Sequence, residues 1–166
     1  MSHAQPIAHS SDPATDHAKA DVRAGGGRAD LHLDWMEVLE TGIEELDSWH
    51  RQLIRQCNDL LSAAHREAHW AMIIEKADAL AKNCVEHFRL EEALMHSNDF
   101  PRIDAHRDEH RRIAAKLWWL ADAIRVSDGT AHRDRALPAE FKAVLLDVMV
   151  RHDLDYLSHL HNRLGR

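Results

Sequence analysis

Apolar side chains recur along most of this chain at intervals of three and four residues, the spacing that places them on one face of an α-helix. Four such stripes follow one another, and they predict helices over residues 43–65, 70–97, 103–126 and 138–162. Pro138 suits the first turn of the last helix, where its missing N–H costs nothing. No segment shows the alternation of period two that a half-buried β-strand requires.

Amphipathic helices of this length, joined by short or moderate loops, bury their apolar faces best against one another. We therefore predict an all-α fold, an antiparallel up-down-up-down four-helix bundle formed by residues 31–166. Residues 31–42 are expected to form an extended lead-in that packs across the bundle. Residues 1–30 show no apolar period and end in Gly25, Gly26 and Gly27, so they predict a disordered, flexible N-terminal tail.

The bulk composition narrows the range of partners and compartments. The formal net charge of −7 over 166 residues argues against nucleic acid or an anionic membrane as a partner. The longest apolar run, residues 117–124, is too short to span a bilayer. Residues 1–30 lack the features of a signal peptide, and Cys57 and Cys84 are best interpreted as buried reduced thiols. We expect a cytoplasmic protein.

Each stripe also carries ionisable residues at positions where a core demands apolar ones. An unpaired buried polar group costs about 1–3 kcal/mol, so seven of them need an explanation. If neighbouring helices are antiparallel, all seven fall at one end of the bundle, where metal ions would turn them into ligands. The seven residues are His50, His87, Glu91, His106, His110, His152 and Asp155.

The number of these residues bears on the kind of metal centre. Five imidazoles and two carboxylates exceed the four ligands of a single tetrahedral zinc ion. They suit two ions with carboxylates bridging them, and imidazole is a good ligand for iron, zinc and copper alike. The residues alone do not choose among these metals.

The same residues form a pattern that resembles the bacterial hemerythrins over roughly residues 31–160. The matching motifs are Trp35, Gly42-Ile43, Asp47-x-x-His50, His87-Phe88-x-x-Glu91-Glu92, Phe100-Pro101, His106-x-x-x-His110 and a late His152. The resemblance implies a four-helix bundle with two non-haem iron ions that bind dioxygen reversibly. It implies that His50, His87, Glu91, His106, His110 and His152 are ligands, and that Phe88 and Leu53 line the oxygen pocket.

The last helix departs from the family pattern. The family places an Asp five residues after its final ligand His, and here that position is Leu157. Asp155, three residues after His152, lies on the inner stripe and is the predicted bridging carboxylate. Asp153 and His159 remain alternatives for this ligand.

Residues beside the stripes leave smaller questions open. Glu92 either orients a ligand or faces solvent. Trp118 and Trp119 are expected to pack, one inward and one on the flank of the third helix.

The predicted function is reversible dioxygen binding for storage, delivery or sensing, without catalysis. One alternative is a di-iron enzyme acting on dioxygen, peroxide or nitric oxide. The absence of any Glu-x-x-His motif weighs against the carboxylate-rich class of di-iron enzymes. The other alternative is an iron-binding buffer protein. The sequence identifies no protein partner.

Overall fold

The computed structural model describes residues 32–129, 132–152 and 156–159, and these residues contain helices and loops but no strand. The helices are α1 (Glu44–His65), α2 (Trp70–Ser97), α3 (Ile103–Val126) and α4 (His132–Asp147). A 3-10 turn (Glu37–Leu39) precedes α1, a π-helical turn (Val148–His152) follows α4, and residues 156–159 are helical again. The all-α prediction is confirmed for this part of the chain. The predicted tail, residues 1–30, lies outside it.

The bounds of α1, α2 and α3 lie within one residue of those predicted from the apolar stripes. Acidic residues in the first turn of α1, among them Glu44 and Glu45, interact favourably with the positive end of the helix dipole. The side chain of His69 caps α2 by accepting a hydrogen bond from the backbone N–H of Ala71. After α2, Asp99 adopts a positive φ of 52° in the turn that leads to α3.

The prediction for the last helix is wrong at its start, and it missed an irregular turn within the helix, while its predicted end at residue 162 lies outside the described residues. α4 begins at His132, so Pro138 lies inside the helix rather than in its first turn. The residues before Pro138 include Ala136 and Leu137, which are strong helix formers, and Pro138 itself is buried. The α-helix ends at Asp147, where the backbone changes to a π-helical turn.

Each of the four helices contacts two others: α1 packs on α2 and α4, and α3 packs on α2 and α4. Their inner faces share one apolar core, which includes Leu60, Leu80, Leu120 and Phe141. A smaller apolar cluster consists of Leu46, Met95, Phe100 and Tyr156. The stripes therefore face inward as predicted.

Contacts between α2 and α3 define two ends of this assembly. At one end, Glu92 near the end of α2 contacts His110 near the start of α3. We call this the site end, because the predicted metal ligands of α2 and α3 lie there. At the far end, Trp70 at the start of α2 donates its Nε1–H to the carbonyl oxygens of Ile124, at 3.1 Å, and Ser127, at 2.9 Å.

The far end is closed by Gly129, which lies against the face of the Trp70 indole. Gly129 has a φ of +73°, and a Cβ built there would lie 2.5 Å from Cε3 of Trp70. Glycine is therefore required twice over at this position, by the backbone conformation and by the space available.

Two further predictions can be compared with the structure. Cys57 and Cys84 are buried and are not joined in a disulfide, as expected. Trp118 and Trp119 are both exposed, by 39% and 63%, so the prediction that one of them packs inward is wrong. The inner face of α3 is already occupied by the stripe that contains Leu117 and Leu120.

Among the described residues, no helix is both long enough and apolar enough to cross a membrane.

Candidate metal centre

Five of the seven predicted ligands come together at the site end, and each is at most 7% exposed. α1 contributes one of them, α2 two and α3 two. On α2 and α3 the two residues are four apart, so they project from the same face of the helix. The five are His50, His87, Glu91, His106 and His110.

The carboxylate of Glu91 lies at the centre of this group. Its Oε2 is 3.4 Å from Nε2 of His110, 3.6 Å from Nε2 of His106 and 3.9 Å from Nε2 of His87. Glu91, His106 and His110 each offer a ligand atom, and these three atoms all lie within 4.8 Å of one another. This spacing is suited to a single ion bound between them.

The α1 side of the group is formed by His50 and His87. Their ring centroids are 4.8 Å apart and the rings meet edge to face at 74°. His87 therefore lies between His50 on α1 and Glu91, and it links the two sides of the cluster.

Several of these buried polar atoms have no hydrogen-bond partner among the described residues. They are both ring nitrogens of His87, both carboxylate oxygens of Glu91 and Nε2 of His110. Leaving such groups unsatisfied costs about 1–3 kcal/mol each, more for a charge, which a core does not tolerate without compensation. Imidazoles and a carboxylate are ligands for divalent first-row metals, so the donor set fits a metal ion.

The protonation states favour the same interpretation. Burial lowers the pKa of His87 to about 3, which keeps this imidazole neutral, as a ligand must be. Burial raises the pKa of Glu91, but the neighbouring imidazoles of His106, His110 and His87 outweigh it and hold the pKa below its usual range. Glu91 is therefore an anion in the interior.

Two of the histidines are held through Nδ1. Nδ1 of His50 lies 3.3 Å from the carbonyl oxygen of Leu39, and Nδ1 of His110 lies 2.9 Å from Oε1 of Glu92. A carbonyl and a carboxylate only accept hydrogen bonds, so Nδ1 carries the proton in both rings. This tautomer directs Nε2 of each ring towards the centre of the cluster. Of the two alternatives for Glu92, the contact with a predicted ligand is the one observed.

The loop that supports His50 is itself held by Asp47, three residues earlier on α1. One carboxylate oxygen of Asp47 accepts hydrogen bonds from the backbone N–H and the hydroxyl of Thr41, both at 2.7 Å, and the other accepts from the N–H of Gly42 at 3.2 Å. The sequence analysis includes Asp47 in the Asp47-x-x-His50 motif but gives it no role. The available signal was an acidic residue in the first turn of α1, close after Thr41 and Gly42.

Phe88 and Leu53, the predicted oxygen-pocket residues, are both buried in the main apolar core. The ring of Phe88 stacks on His110, with 4.1 Å between centroids and 13° between planes. Phe88 thus presents an apolar surface to the α2–α3 side of the cluster.

The remaining predicted ligands fall in the last part of the chain. His152 is the last residue of the π-helical turn and its side chain is not described, and Asp153 and Asp155 lie outside the described residues. Leu157, at the position of the family's Asp, is buried and has no ligand atom. The stripe that selected Asp155 assumes 100° per residue, and a π turn advances less than that.

His159, the third alternative, contacts the turn after α2 instead of the described ligands. Its Nε2 lies 3.2 Å from the carbonyl oxygen of Asn98, and its ring meets Phe100 edge to face at 5.3 Å. Tyr156, in the same turn of helix, accepts a hydrogen bond from the Asn98 side chain at 3.2 Å. These contacts fix residues 156–159 against the α2–α3 turn.

Comparison with known proteins supports the resemblance to the hemerythrins that the sequence motifs indicated. Residues 41–160 match the family described as the hemerythrin HHE cation binding domain. The chain is 33% identical to a bacteriohemerythrin of Pseudomonas aeruginosa strain LESB58 over 86 residues, which cover 52% of this chain and 56% of that protein. It is 28% identical to a bacteriohemerythrin of Ralstonia nicotianae over 124 residues, covering 72% of this chain and 84% of that protein. The match thus spans little more than half the length of the Pseudomonas relative.

Proposed function

This chain belongs to the hemerythrin HHE cation-binding family, and from that premise we propose that it holds two non-haem iron ions and binds dioxygen reversibly, for storage, delivery or sensing and without catalysis. One observation carries the proposal. His87, Glu91 and His110 bring buried polar atoms together without hydrogen-bond partners among the described residues, which a metal centre would explain.

The proposed ligands are the five clustered residues, completed by two from the chain that follows α4. Glu91 and Asp155 would bridge the ions, with Asp153 as the alternative to Asp155. The clustered residues support this assignment because their burial and tautomers suit metal binding. The full proposed set is His50, His87, Glu91, His106, His110, His152 and Asp155.

We also propose that residues 31–166 form one antiparallel up-down-up-down four-helix bundle and that residues 1–30 are a flexible tail. Three contacts support the alternation of directions. The start of α2 meets the end of α3 through Trp70 and Ile124, and the end of α2 meets the start of α3 through Glu92 and His110. His50 near the start of α1 meets His87 in the second half of α2.

The iron ions would supply the electrons and the open coordination position that dioxygen requires. The chain contributes the surroundings. Phe88 and Leu53 are buried apolar residues that exclude water from the pocket, and His87 is held neutral by its low pKa. An apolar, proton-poor pocket favours release of dioxygen unchanged over its conversion to products.

The test is to measure iron and dioxygen on the same purified protein. We expect about two iron ions per chain, as a site with bridging carboxylates requires, and an absorption spectrum of the oxidised protein that changes when azide is added. Mixing the reduced protein with dioxygen should give a new absorption band that disappears when dioxygen is removed under argon, over repeated cycles.

A matched pair of variants makes this test specific. Glu91→Gln removes the central charge and should lower the iron content to one ion per chain or fewer and abolish the band. Glu86→Gln, on the same helix but in an ion pair with Arg89, should leave both unchanged. One iron ion or fewer in the unaltered protein would contradict the di-iron proposal. Irreversible consumption of dioxygen would contradict reversible binding and support the di-iron enzyme.

A further inference from the structure

We propose that the two sides of the centre take up metal in a fixed order and that Glu92 sets it. The first ion binds at Glu91, His106 and His110, and the second binds on the side of His50 and His87. The inference rests on the proposed function to the extent that it assumes a two-ion centre. Its statement about Glu92 requires only that a metal binds to His110.

The first step of the argument is convergence. Glu91, His106 and His110 already present three ligand atoms within 4.8 Å of one another on just two helices, α2 and α3. An ion bound there needs little reorganisation, so little of the binding free energy is lost in ordering the ligands.

The second step is the support behind His110. Glu92 on α2 accepts the Nδ1–H of His110 at 2.9 Å, and its other oxygen lies 3.5 Å from Nε of Arg107, which is also on α3. The carboxylate therefore joins the two helices that carry the first site. Its negative charge beside the ring makes Nε2 a stronger donor to a cation.

The third step is the contrast with His50. Its Nδ1–H is directed at the backbone carbonyl of Leu39, a neutral acceptor, at a longer distance of 3.3 Å. Leu39 belongs to the loop before α1, so the position of His50 depends on a third segment of the chain. Because this acceptor is a neutral carbonyl rather than a carboxylate, Nε2 of His50 should be a weaker donor than Nε2 of His110, and this side should bind its ion more weakly.

The experiment is an anaerobic titration of the metal-free, full-length protein with Co²⁺, followed by visible absorption and by calorimetry. Co²⁺ accepts the same nitrogen and oxygen ligands and does not undergo redox chemistry under these conditions. We expect two resolved steps in the unaltered protein. Glu92→Ala should weaken the first step by about 10–100-fold, and Glu92→Gln should weaken it less, because the amide oxygen still accepts the Nδ1–H.

The control is Glu86→Ala, which removes the same charge from the same helix and breaks an ion pair with Arg89. It should leave both steps unchanged. Two further variants test the order directly: His110→Ala should abolish the tight step, whereas His50→Ala should abolish only the weak one.

Thermal unfolding of the metal-free variants separates positioning from a structural role. Because Glu92 joins α2 to α3, Glu92→Ala should melt below Glu86→Ala, whereas Glu92→Gln, which keeps an acceptor for the Nδ1–H, should melt close to the unaltered protein while still binding the first Co²⁺ more weakly. A lower melting temperature with unaltered Co²⁺ affinity would overturn the inference, as would a tight step that survives His110→Ala. Binding of a single Co²⁺ by the unaltered protein would contradict the two-ion proposal, and weakening by Glu92→Ala would then still support the role of Glu92.

Discussion

The two ends of the bundle treat their buried polar groups in opposite ways. At the far end, the indole N–H of Trp70 donates to two carbonyl oxygens, those of Ile124 and Ser127, and the ring is packed against Gly129. At the site end, His87 and Glu91 are fully buried, more deeply than the half-buried Trp70, but neither makes a hydrogen bond within the described residues.

We interpret this difference as a division between an end whose contacts stabilise the fold and an end that we propose binds metal. A polar group satisfied by its own chain contributes to folding, whereas one that needs an outside partner destabilises the fold until that partner arrives. Natural sequences depart from the rules of core design mainly at functional sites. The far end should therefore tolerate few changes at any metal concentration, and the site end should gain stability when its polar groups are removed.

The sharpest test of this contrast is His87→Leu, which replaces an unsatisfied buried imidazole with an apolar side chain of similar size. Iron content should fall below one ion per chain, while the metal-free protein should become more stable by about 1–3 kcal/mol, because the cost of burying both ring nitrogens is removed. Iron analysis and urea unfolding in the presence of a chelator measure the two effects. A metal-free variant less stable than the unaltered protein would show that the site end does not carry this cost.

At the far end, Gly129→Ala should lower the free energy of unfolding by about 2–4 kcal/mol, from backbone strain together with the clash against Trp70. Iron content per folded chain should not change. Gly42→Ala is the matched control, since Gly42 has nearly the same φ, +74°, but nothing within 4 Å of an added Cβ. It should cost only about 1 kcal/mol. Equal costs for the two variants would remove the clash from the explanation.

A smaller effect is expected for Asp47, whose hydrogen bonds hold the loop before α1. Asp47→Asn should destabilise the protein by about 1–2 kcal/mol, because an amide cannot accept all the hydrogen bonds that Thr41 and Gly42 donate to the carboxylate. Glu45→Gln, an exposed change of charge in the same helical turn, should have almost no effect on urea unfolding. Loss of stability in both variants would point to the helix dipole rather than to the loop.

The sequence predicted the helices well where their apolar stripes are long and regular. The bounds of α1, α2 and α3 follow from the spacing of residues such as Leu53, Leu80 and Leu117. The start of α4 differs from its prediction because Pro138, a residue that favours the first turn of a helix, lies inside α4. The π-helical turn at Val148–His152 has no counterpart in apolar spacing, so the sequence could not reveal it.

The candidate site was predictable for a related reason. Ionisable residues on an apolar stripe are conspicuous in one dimension, and this drew attention to His50, His87 and Glu91. The supports behind them were not predictable, because a hydrogen bond from His110 to Glu92 depends on how α2 and α3 approach each other. The hydrogen bond to the backbone carbonyl of Leu39 was not predictable either, because every residue has such a carbonyl and the sequence does not show which one is used.

The hydrogen bond to Leu39 also has a practical consequence. The family match begins at residue 41, yet the oxygen that orients His50 belongs to residue 39, and the backbone of Leu33 exchanges two hydrogen bonds with the Asn58 side chain on α1. A fragment trimmed to residues 41–160 would keep every proposed ligand. It would lose the preceding segment, whose carbonyl oxygen at residue 39 orients one of those ligands. The part of the chain that positions the proposed ligands is therefore longer than the part that matches the family.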